Sequence, residues 1–163
     1  MNFLYYFCKE PFHPTAHILA RKQVSVQTET SAPRRVLIGD DDLSIREFLS
    51  DLLSEHGFVL CTAEDGYAAL PCIDQFKPDL VLTDIVMPNL DGLELISCLR
   101  KRTHDTARII AFSGSKEAPT YLDAARALGA DAVIQKPFSP EQIVRVINSV
   151  LALELNQSPG IEK

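Results

Sequence analysis

The chain of 163 residues is predicted to be α/β, a doubly wound parallel sheet of five β-α units, on three observations. Five short β-branched or aliphatic runs recur along it. Each is followed by a turn and a segment of helical period, and the runs are mostly apolar rather than alternating, the pattern of a parallel sheet covered on both faces. The first strand is predicted over Val36 to Ile38, and the helix after it carries Ile45, Phe48, Leu49, Leu52 and Leu53 on one stripe. The second strand spans Phe58 to Thr62. Its helix, starting near Asp65, contains Pro71, which removes a backbone donor and is expected to kink the helix or start it anew. The third strand is Leu80 to Thr83, the fourth Ile109 to Phe112 and the fifth Ala132 to Gln135. A last helix repeats the stripe with Ile143, Val146, Ile147, Val150 and Leu151.

Residues 1–33 show no sustained periodicity and end in Gln27-Thr28-Glu29-Thr30-Ser31-Ala32-Pro33, a linker's composition. The folded domain is therefore expected over 34–155, after a disordered N-terminal extension and before a frayed tail over 156–163. Phe3, Tyr5, Tyr6, Phe7 and Phe12 leave a docking role for the extension open. The extension carries three basic and two acidic side chains, against twelve and nineteen between Arg34 and Leu155, so the acidity belongs to the domain. A formal net charge of −6 disfavours nucleic-acid partners, whose phosphates need a basic surface. No apolar run reaches the roughly 18 residues of a membrane span, and the aromatic start lacks the basic n-region of a secretory signal, so a cytoplasmic protein is expected. Cys8, Cys61, Cys72 and Cys98 are widely spaced without a C-x-x-C pair and read as buried, reduced thiols.

Ligands of an open α/β sheet bind beyond the carboxyl ends of its strands, so the residues just after each run are the informative ones. Strand 1 leads into Asp40-Asp41-Asp42, strand 3 into Asp84, strand 4 into Ser113 and strand 5 into Lys136. Carboxylates gathered at one edge repel by about 4 kcal/mol per close pair at an effective dielectric near 20, unless a cation or protons compensate. Hard oxygen ligands select Mg²⁺, or Mn²⁺. A lysine beside such an ion makes sense where an anionic phosphoryl group joins the two, and Ser113 has a hydroxyl to offer it. A single Asp after a strand also serves as a helix N-cap, as Asp42 or Ser44 would for the first helix and Asp65 or Asp91 for later ones. Ser113, followed by Gly114 and Ser115, also reads as a turn residue. Capping gives no reason for Asp40, Asp41, Asp84 and Lys136 to share one edge. His13, His17, His56 and His104 lack ligand spacing and are assigned no chemistry.

The segments Val36-Leu37-Ile38-Gly39-Asp40-Asp41-Asp42, Pro78-Asp79-Leu80-Val81-Leu82-Thr83-Asp84-Ile85-Val86-Met87-Pro88 with Asp91-Gly92, and Gly129-Ala130 with Lys136-Pro137-Phe138 together resemble the receiver domain of two-component response regulators, from about Arg34 to Leu153. The resemblance implies a (βα)5 flavodoxin-like sheet of strand order 2-1-3-4-5. It also implies that Asp84 is the phosphoacceptor, and that Asp40, Asp41, Asp84 and the backbone carbonyl of Val86 hold the metal. Ser113 and Lys136 would then engage the phosphoryl group, and the Lys136-Pro137 bond would be cis.

Three positions depart from the family's pattern. Val133 stands where many members carry a switch aromatic, Gly39 replaces a larger aliphatic residue, and Pro71 interrupts the second helix. Gly114, small and beside the hydroxyl, is expected to leave the site open to water and small phosphodonors.

The function expected from the resemblance is a stand-alone, non-enzymatic receiver. It would be phosphorylated by a sensor histidine kinase or histidine phosphotransfer protein and read by a target at the face of the fourth helix, fifth strand and fifth helix, and its oligomeric state is open. Two other readings compete. One is a receiver-fold interaction module that is never phosphorylated. The other is a haloacid-dehalogenase-type phosphatase with Asp40 as nucleophile, because Asp40-Asp41-Asp42-Leu43-Ser44 approximates D-x-D-x-[TV].

Overall fold

The computed structural model describes residues 32–102, 106–115 and 117–155, apart from the side chains of 153–155. The expected disorder of the extension and fraying of the tail lie outside the described residues, as do Cys8, His13, His17 and His104. Strands β1 (Arg35–Gly39), β2 (Val59–Ala63), β3 (Leu80–Asp84), β4 (Arg108–Ser113) and β5 (Ala132–Gln135) alternate with helices α1 (Leu43–Glu55), α2 (Gly66–Phe76), α3 (Gly92–Arg100), α4 (Ala118–Ala127) and α5 (Pro140–Leu155). All strand pairs are parallel and the order is β2-β1-β3-β4-β5, the flavodoxin-like order predicted. No helix among the described residues is long and apolar enough to cross a membrane.

The apolar runs split by residue parity between the two faces of the sheet, because successive strand side chains point to opposite sides. Val36, Ile38, Leu80, Leu82, Ile110 and Phe112 pack with Leu49 and Leu53 of α1 and with Ile143, Ile147, Val150 and Leu151 of α5. Leu37, Val81, Ile109 and Ala111 pack on the other side with residues of α2, α3 and α4, among them Ile73, Leu95, Ile96, Leu99 and Leu122. Burial on both faces is the physical reason that the runs are continuous. Truncating one of these fully buried leucines to alanine costs about 2–5 kcal/mol.

Four helices begin on residues suited to the task. Asp42 accepts from Ser44 N (2.8 Å) to cap α1, and Asp65 accepts from Ala68 N (2.8 Å) to cap α2. Asp91 and Glu94 form a reciprocal capping box on α3. Ser139 Oγ accepts from Gln142 N ahead of Pro140 at the start of α5.

Three expectations are corrected. Helix α2 runs from Gly66 to Phe76 without restarting at Pro71, which lies on its exposed face. Only the hydrogen bond to the carbonyl of Tyr67 is lost there, and Tyr67 is itself solvent-exposed, so water can take its place. Phe48 of α1 is 38% exposed rather than core, because the stripe of α1 is wider than the sheet face it covers. Cys61, Cys72 and Cys98 are free thiols but half-buried rather than buried, Cys61 and Cys72 packing at the margin of the α2–α4 layer.

Gly39 and Gly92 differ in kind. A Cβ at Gly39 would meet Thr83 Oγ1 at 3.6 Å and Leu82 O at 3.8 Å, ordinary contacts. A Cβ at Gly92 would collide with the Asp84 carbonyl oxygen and lie 2.8 Å from Ile85 Cα. Gly39→Ala is therefore expected to stabilise the fold by about 0.5–1 kcal/mol, from the strand glycine's entropy. Gly92→Ala is expected to cost about 2 kcal/mol or more by overpacking. Urea unfolding of the two variants beside the parent checks both signs.

Candidate functional site

The sheet order places β1 between β2 and β3, so the chain leaves β1 on one side of the sheet and β3 on the other, and a crevice opens where the connections diverge. Gly39 pairs with Thr83, Asp84 with Phe112 and Ser113 with Gln135, which aligns the carboxyl ends of β1, β3, β4 and β5. Asp40, Asp84, Ser113 and Lys136 arrive together at that edge. Carboxylate oxygens of Asp40, Asp41 and Asp84 lie within 4.8 Å of one another. Asp40, Asp84 and Ser113 are buried, whereas Asp41 is exposed at the mouth.

Lys136 reaches back across the sheet edge. Its Nζ donates to Asp40 Oδ2 at 2.7 Å and to Asp84 Oδ2 at 3.2 Å, and it lies 4.9 Å from the ring centroid of Phe112. The Phe112 ring packs edge-on against Phe138, so the ammonium rests on an aromatic pair as well as between two carboxylates. The Lys136-Pro137 bond is cis. Asp84 Oδ1 accepts from Ile85 N (2.8 Å), and Asp40 Oδ1 accepts from Asp42 N (2.9 Å). Burial raises the Asp84 carboxyl above its ordinary value, the charge of Asp40 adds to the rise, and Lys136 offsets it only in part. Burial works against the charged form of Lys136. The hydrogen bond to Asp40 and the charges of Asp84 and Asp40 outweigh it and carry the lysine above the usual range.

Three carboxylates against one ammonium leave two negative charges, and every donor is a hard oxygen, so the residues fit a divalent ion such as Mg²⁺. The orphaned hydroxyl points to a second guest. Ser113 Oγ is buried without a hydrogen-bond partner among the described residues, although the Ser113 carbonyl accepts from Lys136 N at 2.9 Å. A desolvated, unpaired hydroxyl costs about 1–3 kcal/mol and is retained where a ligand completes it. A phosphoryl oxygen beside Asp84 and Lys136 is such a partner.

Several contributors escaped the sequence reading. Arg46, in the first turn of α1, donates through Nη1 to the carbonyls of Asp40 (2.7 Å) and Asp41 (3.1 Å). Its one legible signal is a cation at a helix N-terminus, where the macrodipole disfavours it. Asp65 does more than cap α2. Its Oδ2 accepts from Asn89 Nδ2 at 2.6 Å, and Gly66 N donates to Leu90 O, so the loop after Asp84 is fastened to the loop after β2. Asn89 takes a left-handed φ of 63° there, and Asp65 is held below the usual carboxylate range by Ala68 N and Asn89.

Val86 is half exposed in that loop, and Val133 lies away from the edge, half-buried against the α2–α4 layer with Tyr121. Gly114 is exposed, and a Cβ there would press to 3.2 Å from Lys136 Cβ, so the glycine leaves room beside the lysine stem. A groove of about 360 Å³ lined by Ile45, Phe48, Gly114, Lys136, Pro137 and Phe138 opens next to it. His56 Nδ1 bonds the Leu52 carbonyl at the far end of α1 and takes no part.

Residues 36–148 match the family model of the response regulator receiver domain. Over 121 residues the chain is 37% identical to the response regulator MprA of Mycobacterium sp. (strain KMS), covering 73% of this chain and 51% of that protein. It thus spans about half the length of the curated relatives it matches. Among solved structures, a putative response regulator from Chloroflexus aurantiacus superposes with a TM-score of 0.69 at 29% identity, over 74% of this chain and 98% of the other. The chemotaxis response regulator CheY4 of Vibrio cholerae superposes with a TM-score of 0.67 at 28% identity, over 72% and 98%.

Because the Asp84 carboxyl is raised in the fold, its charge costs native stability above its folded pKa. That cost fades as pH falls towards the ordinary value of 3.8. Lys136, raised from 10.5, contributes stability that is constant well below that value and is lost only at higher pH. In chelator, Asp84→Asn is therefore expected to melt above the parent at pH 7, with the gap narrowing as pH falls to about 4. Calorimetric scans across that range measure it.

Proposed function

The chain belongs to the response regulator receiver family, and from that membership we propose that Asp84 accepts a phosphoryl group from the phosphohistidine of a sensor histidine kinase or histidine phosphotransfer protein. A carboxylate oxygen of Asp84 attacks phosphorus, a P–O bond forms, and the P–N bond breaks to leave imidazole on the donor. Asp40, Asp41, Asp84 and the carbonyl of Val86 would hold Mg²⁺, or Mn²⁺. When bound, the ion neutralises the charge that gathers on the transferring group. Lys136 turns from the carboxylates to a phosphoryl oxygen, and the hydroxyl of Ser113 donates to another. The observation that carries this reading is the unpartnered, fully buried Ser113 Oγ on the strand next to Asp84, with Lys136 already on the Asp84 carboxylate.

The protein acts in the cytoplasm as a phosphoacceptor rather than a multiple-turnover enzyme. It signals by protein contact through the face of α4, β5 and α5. Val133 in place of an aromatic means that the phosphorylated state is read there by means other than a ring moving inward. The phosphatase reading is not favoured by the geometry. Both oxygens of Asp40 and both of Asp84 accept hydrogen bonds, but Asp40 is wholly buried whereas Asp84 keeps some exposure to an incoming donor.

Incubation with a small phosphodonor and Mg²⁺, followed by intact mass and peptide mapping, is expected to show one phosphoryl group per chain on the Asp84 peptide. Labelling should be absent in chelator and in Asp84→Asn, and slower in Gly114→Leu, which closes the space beside Lys136. No adduct on a folded, Mg²⁺-binding protein would favour the phosphorylation-independent module, and turnover with label on Asp40 would favour the phosphatase.

A further inference from the structure

Asp40 and Asp41 are held very differently. The Asp40 carboxylate is fixed at both oxygens, by Asp42 N and by Lys136 Nζ. The Asp41 carboxylate is exposed and has no hydrogen-bond partner among the described residues, so its place is set by its backbone alone. That backbone is pinned from one side chain. Arg46 Nη1 donates to the carbonyl of Asp40 at 2.7 Å and to the carbonyl of Asp41 at 3.1 Å, the two peptide groups that flank the Asp41 Cα. Asp42, next in line, is anchored as the N-cap of α1.

We infer that Arg46 is a positioning residue for divalent-cation binding, orienting Asp41 through the carbonyls of Asp40 and Asp41. The inference rests on the receiver reading of the acid cluster and deepens it. Its sign is informative. A guanidinium beside a cation site repels the incoming ion, so removing its charge alone tightens binding. Removing an orienting hydrogen bond loosens it, and outer partners of this kind typically carry about 10–100-fold in metal affinity. Orientation is the larger effect, so loss of Arg46 weakens binding despite the relief of repulsion.

The test is calorimetric titration with Mg²⁺ alone on the full chain. Arg46→Met keeps the apolar stem and removes the donors, and is expected to weaken Mg²⁺ about tenfold or more. Arg46→Lys, which keeps a donor within reach, is expected to recover most of the loss. On an Asp41→Asn background, Arg46→Met should cost little further, because the two substitutions remove the same contribution. Melting in chelator confirms that each variant is folded, and Arg46→Ala, which also removes the donors, carries the comparison if Arg46→Met is not. Unchanged or tighter binding in Arg46→Met, or an equal loss on the Asp41→Asn background, overturns the inference and leaves the receiver reading intact. A parent protein that binds Mg²⁺ no better than Asp40→Asn overturns both.

Discussion

The gathering of like charge at one sheet edge is the constraint on which the rest depends. Asp40, Asp41 and Asp84 converge from β1 and β3, and buried carboxylates at such separation are tolerated only with positive charge between them. Lys136 supplies it across 96 residues of sequence from Asp40 and 52 from Asp84. The remaining negative charge fits the site to a divalent ion, and the Asp84 carboxyl is raised chiefly by its burial, with the charge of Asp40 adding to it. A site that is unfavourable when empty has free energy to gain from its guests, and this is how binding at one edge can bias the whole domain.

Holding that arrangement takes a frame whose parts are unremarkable alone. Asp42, Asp65 and Asp91 each cap a helix, and each helix begins next to the crevice. Asp65 also ties down Asn89, Gly66 meets Leu90, and Gly92 comes so close to Asp84 that no side chain fits. The loops around Asp84 are thus anchored to one another through backbone and short polar side chains. By contrast, Glu117 at the N-cap of α4 makes no capping side-chain hydrogen bond. Helix α4 therefore starts without the side-chain cap that α1, α2 and α3 have, and relies on the proline in its first turn.

Legibility followed the physics of each feature. The central strands β1, β3 and β4 were readable because burial on both faces demands nearly continuous apolar residues, and the less buried β2 and β5 from their β-branched and aliphatic runs. The helices α1 and α5 were readable from their stripes, though Phe48 shows that a stripe overstates the core when a helix overhangs its sheet. Pro71 signals a break in the sequence because a missing donor is visible there, whereas the exposure that makes the loss cheap is not. The carboxylates, Ser113 and Lys136 were found because strand ends share an edge whatever lies between them.

The order and type of the elements, the acidic edge and the lysine opposite it were determined by the sequence itself, since periodicity, strand-end position and charge are local properties of the chain. Arg46 on two carbonyls, the second role of Asp65, the ring of Phe112 under Lys136 and the unpartnered Ser113 hydroxyl were decided only by the tertiary structure. These depend on which atoms meet after β1, β3, β4 and β5 are brought side by side, and hydrogen bonds to backbone carbonyls leave no mark on the identity of the residues that accept them.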